Sequence, residues 1–235
     1  MKKFELTTEQ KINWFGRTLY RIKACISFTT TDGFEVKAGD LGGWVEKERN
    51  LSHDGKAWVC GDAEVWGNAK VCGDAKVWGN AEVWGNAKVC GDAKVWGNAE
   101  VCGDANIFST KHIFCVTPIG KYAISLTLFR TKNCEIKVSF SYEMYDLEEF
   151  RKMIHEEWDA EHVEIAEGAI NLAKKHIDLT PEKKNIEPCP FCGGEAESFV
   201  SGFGTSFGVI CTNCGVETAL YKTEDEAIEV WGNRV

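Results

Sequence analysis

Between Ala57 and Ala105, apolar and polar positions alternate inside a strict six-residue period: Ala, variable, Val, variable, Gly, then Asn or Asp. Ala and Val are two apart and fall on one side of an extended chain, while the residues between them face the other way. Gly followed by Asn or Asp is turn chemistry, because both accept the left-handed backbone that a β-branched residue resists. Each hexad therefore predicts a short strand and a corner. Residues 63–80 and 81–98 are identical, so the full repeat is 18 residues, or three hexads. Short strands with regular corners predict a β-solenoid with three faces. One face collects Glu64, Glu82 and Glu100 with Trp66, Trp84 and Cys102. A second collects Lys76 and Lys94 with Trp78 and Trp96. The third collects Lys70 and Lys88 with Cys72 and Cys90.

The pattern breaks on either side of the repeats. Residues 1–50 carry scattered apolar positions (Ile12, Trp14, Leu19, Ile22, Ile26) and a hairpin-type turn at Asp32-Gly33. A solenoid must cover its open end, so this head is predicted to be a cap. The solenoid is placed at residues 51–116, with Ile107, Phe108, Ile113 and Phe114 as a degraded terminal coil. Residues 117–179 predict an α+β module. Pro118 to Lys121 reads as a turn, and Tyr122 to Arg130 and Ile136 to Tyr142 as antiparallel strands. Asp146 and Glu149 form a capping box ahead of Leu147, Phe150, Ile154 and Trp158. Val163, Ala166, Ile170 and Ala173 mark a second amphipathic helix. Residues 180–187 are a linker, and 188–235 a last domain in which Gly202, Gly204 and Gly208 mark a hairpin loop. The predicted class is mainly β.

The hexads resemble the bacterial hexapeptide-repeat proteins. That resemblance implies a left-handed parallel β-helix, commonly a homotrimer. The head is similar to the opening of hexapeptide-repeat proteins of phages and prophages, through Gly16-Arg17-Thr18-Leu19-Tyr20-Arg21-Ile22 and Lys37-Ala38-Gly39-Asp40-Leu41-Gly42-Gly43-Trp44.

The most specific chemistry lies in Cys189-Pro190-Phe191-Cys192 and Cys211-Thr212-Asn213-Cys214. Each pair sets two thiolates on one tight turn, and two such turns complete a tetrahedral Zn²⁺ site. Four protein ligands leave no open position, so Cys189, Cys192, Cys211 and Cys214 predict a structural zinc. A segment this short cannot build a large core, and the metal would supply the missing folding energy. Pro188 to Ala196, Cys211 to Gly215 and the closing Glu226-Ala227-Ile228 with Trp231, Asn233 and Arg234 resemble restriction-alleviation zinc ribbons of the Lar type. Here Gly232 separates Trp231 from Asn233, where that family more often has them adjacent. The resemblance implies a phage-encoded modulator of host restriction.

Composition narrows the partners. The net charge of −9 is a poor footprint for duplex DNA. No apolar run reaches membrane length and the N-terminus is not signal-like, so a cytoplasmic protein, in the host cell if phage-encoded, is expected. Of eleven cysteines, the seven outside the pairs lack disulfide-scaffold spacing and are expected to be reduced. Arg17, Arg21 and Lys23 cluster in the head near Trp44 and are the candidate contacts for the phosphates and base of a nucleotide. Outward Trp and columns of like charge predict self-association. In that reading Glu64, Trp66, Glu82 and Trp84 of one copy meet Lys76, Trp78, Lys94 and Trp96 of the next, closing a trimer. The five His residues lie outside the perfect repeats, and no nucleophile–base set is visible. The leading expectation is a non-enzymatic, trimeric counter-defence protein that sequesters a host nucleotide signal between protomers. The alternatives are an anti-restriction adaptor that binds host protein or nucleic acid through the ribbon, and a hexapeptide acyltransferase, which needs a general base.

Overall fold

The computed structural model describes residues 2–120, 124–181, 186–201 and 205–233. Lys121 and Tyr122, residues 182–185 of the linker, the loop glycines Gly202 and Gly204, and Arg234 lie outside the described residues, whereas Pro118 and Ile119, read as part of a turn, are extended strand. Two compact units divide the chain, residues 1–180 and 181–235. No helix among the described residues is long and apolar enough to cross a membrane.

The first unit opens with β1 (Phe4–Ile12), β2 (Thr18–Ala24), β3 (Phe28–Thr29), β4 (Glu35–Val36) and β5 (Leu41–Val45). Nine two-residue strands follow: β6 (Trp58–Val59), β7 (Glu64–Val65), β8 (Lys70–Val71), β9 (Lys76–Val77), β10 (Glu82–Val83), β11 (Lys88–Val89), β12 (Lys94–Val95), β13 (Glu100–Val101) and β14 (Asn106–Ile107). They build a β-solenoid of parallel strands paired one repeat apart. Glu82 lies beside Glu64 and Glu100, Lys88 beside Lys70, and Lys94 beside Lys76. The faces are those read from the sequence. Ala63 to Ala105 and Val65 to Val101, at six-residue steps, are at most 1% exposed and fill the interior. Corners are fixed by glycine: Gly73 has φ +65°, and a Cβ there would sit 2.9 Å from the backbone nitrogen of Gly91 in the next coil.

The head does more than close one end. β1 and β2 pair antiparallel, β2 pairs with β5, and β5 runs parallel to β7, so the head continues the Glu face as one six-stranded sheet, β1-β2-β5-β7-β10-β13. Phe15, in the β1–β2 turn, lies against Trp66, Trp84 and Tyr142 at ring-centroid distances of 5.9, 6.3 and 5.3 Å. The β3–β4 hairpin covers the foot of the second face, with Phe28 edge-on to Trp58 and Asp32 bonded to Lys76 at 3.1 Å. Beneath the first coil the buried Lys3 ammonium donates to the carbonyls of Ala57 at 2.9 Å and Gly55 at 3.4 Å.

At the other end, β15 (Ile113–Ile119), β16 (Ile124–Arg130), β17 (Ile136–Phe140) and β18 (Glu143–Asp146) form an antiparallel sheet in that order. Ile113 and Phe114 are therefore not a last coil: they pair antiparallel with Phe129 and Leu128. Their apolar spacing fits either arrangement, and the partner strand decides. Phe129 and Ile113 join the solenoid interior and close it. The other face of the sheet packs on α1 (Leu147–Glu157) and α2 (Ala160–His176), through Leu126, Leu128, Val138, Phe150, Ile154 and Ile170. The capping box forms, with Glu149 N–H on Asp146 at 2.9 Å and Asp146 N–H on Glu149 at 3.0 Å.

One expectation about cysteine is corrected. Cys72 and Cys90 are joined as a disulfide, not left as thiols, with their Cα atoms 4.5 Å apart. In-register parallel stacking places equivalent positions of adjacent coils within bonding distance.

Candidate metal centre

The second unit is built on β19 (Ala196–Val200) and β20 (Phe207–Cys211), an antiparallel pair, and α3 (Glu224–Gly232). Thr223 caps α3 in a box with Glu226. The small core holds Val209, Ala227 and Trp231, and the Trp231 indole N–H donates to the Glu187 carbonyl at 2.7 Å.

Each Cys pair sits on a tight turn. Gly193 N–H donates to the Cys189 carbonyl at 2.8 Å, and Gly215 N–H to the Cys211 carbonyl at 3.0 Å. Both glycines have positive φ, +68° and +74°, where a side chain would be strained. The two turns bring the Sγ atoms of Cys189, Cys192, Cys211 and Cys214 within 4.8 Å of one another. Cys189 and Cys214 sulfurs are 3.7 Å apart, and Cys192 and Cys211 sulfurs 3.5 Å. A tetrahedron with metal–sulfur bonds near 2.3 Å has edges of about 3.8 Å, so the spacing fits one metal ion held by four thiolates.

Hydrogen-bond donors are aimed at two of the sulfurs. Backbone N–H groups of Asn213 and Cys214 point at the Cys211 sulfur, each at 3.4 Å, and the Asn213 side-chain amide points at Cys192 at 3.5 Å. That amide, with the Gly194 N–H, lowers Cys192 to about 6. At Cys214 the Val216 N–H lowers the thiol, but hydrogen bonding to the Cys192, Cys211 and Cys189 sulfurs together with desolvation outweighs it, and the net is upward, to about 12. Four sulfurs this close cannot all ionise without a cation among them, and a divalent metal supplies it. Asn213 was not singled out from the sequence. Its signal was its place between the paired cysteines, where a side-chain donor reaches the opposite turn.

Residues 184–235 match the family model of restriction alleviation protein Lar. The match covers the ribbon and all four cysteines. No curated protein matches the chain. The Lar-type segment is thus a zinc-ribbon fold, and its cysteine cluster can hold a metal.

The other expected sites fall in the first unit. Arg17 pairs with Glu46 at 3.6 Å and Lys23 with Glu5 at 2.8 Å. The Arg21 guanidinium lies 4.9 Å from the Trp44 ring centroid, Lys11 lies 4.7 Å from it, and Trp44 is buried. These basic groups are engaged with partners of their own chain rather than gathered round an open pocket. The expected contact column is likewise covered from within. Glu64 pairs with Lys11 at 2.7 Å, and Glu82 accepts from the Tyr142 hydroxyl at 3.3 Å. Trp66 is buried, and its ring stacks on Trp84 at 5.1 Å. On the second face Lys76 is buried beside Asp32 and Phe34, Lys94 is half-buried, and Trp78 stacks on the exposed Trp96 at 5.7 Å.

Proposed function

We propose that this chain is a phage-type anti-restriction protein that acts in the host cytoplasm by binding rather than by catalysis, through a ribbon folded around one structural zinc ion. The observation that carries this reading is that the four-sulfur cluster lies inside the segment that matches restriction alleviation protein Lar. Zinc suits four thiolates at this spacing, and a site filled by four protein ligands keeps no position for water or substrate. The His residues at the solenoid ends also support a non-catalytic reading. His53 accepts the Lys3 N–H and contacts Glu48, while buried His112 accepts the Phe108 N–H.

Charge selects the partner class. Residues 188–235 hold seven carboxylates against two cations. An acidic surface repels phosphate backbone and attracts a basic protein surface. The ribbon's partner is therefore a host restriction protein rather than its DNA. The test is to express the chain in a restricting host and measure plating of unmodified phage. Plating is expected to rise at least tenfold over an empty vector. Unchanged plating with the chain demonstrably expressed would refute the reading.

A further inference from the structure

A cavity of about 330 Å³ lies where the Asn80/Asn98 corner of the solenoid meets the edge of β16 and the turn between β17 and β18. It belongs wholly to the first unit. Two carboxylates one coil apart, Glu82 and Glu100, border it. Glu100 accepts from the Ser139 hydroxyl and from the Tyr142 N–H, both at 3.0 Å, and Glu82 accepts from the Tyr142 hydroxyl. No Lys or Arg lines the cavity among the described residues. Lys11, whose charge is felt at Glu82, is ion-paired to Glu64.

A second, independent observation points to an occupant. Ser125 lines the same cavity, is only 6% exposed, and its Oγ has no hydrogen-bond partner among the described residues. Buried hydroxyls are bonded as a rule, because leaving one unmade is costly. The volume is about ten times the ~30 Å³ share of a water molecule, far more than a bare ion needs. Ile124 and the Tyr142 ring give the walls an apolar part.

We propose that this cavity is a binding site for a small organic ammonium ion: the ammonium sits between the Glu82 and Glu100 carboxylates, the Ser125 hydroxyl accepts one of its N–H groups, and its hydrocarbon lies along Ile124 and Tyr142. The charge balance favours this ligand class. Burial first, then the neighbouring carboxylates Glu64 and Glu100, push Glu82 up to about 7, against smaller opposing effects of the Tyr142 hydroxyl and Lys11. A cation placed here relieves that repulsion, so binding tightens as pH rises through about 7 and Glu82 ionises. The site is independent of the ribbon, and loss of one function leaves the other in place.

The test is calorimetry of the full chain with 1,4-diaminobutane at pH 8 and pH 6, with tryptophan fluorescence as a second readout because Trp84 lies 6.3 Å from Tyr142. Saturable one-to-one binding is expected at pH 8, at least tenfold weaker at pH 6, where the diamine is still fully protonated. Glu82→Gln and Ser125→Ala are each expected to weaken it at least tenfold with circular dichroism unchanged. Glu82→Gln removes a repelling charge and keeps the shape, so folding is retained. Butan-1-ol, the neutral counterpart, is expected not to bind. The proposal is overturned by absence of diamine binding at pH 8, by unchanged affinity in both variants, by equal binding of butan-1-ol, or by Ca²⁺ displacing the diamine, which would make this a metal site.

Discussion

Gly73 shows how closely the sequence and the backbone agree at single positions. Its φ of +65° and the 2.9 Å approach to Gly91 leave no room for a methyl group. Gly73→Ala is expected to cost about 1–3 kcal/mol and lower the melting temperature by about 3–10 °C, read by thermal circular dichroism. The buried Ala and Val positions were legible for the same reason: a strict period gives every hexad the same surroundings. Glu82 was not legible in that way. Its letter is the same as that of an exposed Glu, yet it is half-buried and meets the Tyr142 hydroxyl, which arrives from a distant part of the chain. Its proton is held more tightly in the folded chain than in the unfolded one. Between about 4.5 and about 7, unfolding therefore releases a proton, and stability falls as pH rises. Glu82→Gln is expected to flatten that slope and to raise the melting temperature at pH 8 by about 2–4 °C, the shift that ~1 kcal/mol gives a chain of this size. A variant with the parent's pH profile would show that Glu82 does not carry it.

At the scale of elements, the repeats fixed their own register, and the flanking segments did not announce where they pack. Ile113 and Phe114 read as a final coil because hexad spacing and strand alternation coincide over so few residues. The head read as an end cap, yet it extends the Glu face sideways and lays Phe15 over the Trp66–Trp84 stack. That changes what the Glu column does. Glu64, Glu82 and Glu100 are engaged by Lys11, Tyr142 and Ser139 inside the chain. Reversing all three to Lys puts ammonium groups beside Lys11 and beneath the β16–β17 edge. The expected result is loss of folding, seen as a melting temperature lower by more than about 5 °C. A variant that keeps its melting temperature and only changes its mass in light scattering would instead make this column a contact between copies.

For the whole molecule, the paired cysteines were the most legible feature, since ligand number and spacing alone define a tetrahedral site. Its neighbours were less so, because Asn213 acts through a fold that the motif does not describe. The division into residues 1–180 and 181–235 leads to a direct expectation. Cys189→Ser should reduce bound zinc from one per chain to none and abolish protection of amides in 181–235 from hydrogen exchange. Protection in the solenoid should be unchanged. Loss of protection throughout would mean that the two units fold as one. The proposed function follows the same division, because the Lar-type match and the metal cluster coincide in the second unit. The most direct measurement is therefore the plating efficiency of unmodified phage on a restricting host that expresses either the parent chain or Cys192→Ser, at matched levels of the folded solenoid. The account expects alleviation by the parent and at least a tenfold loss of it in the variant. Full alleviation by a variant shown to hold no zinc would contradict it.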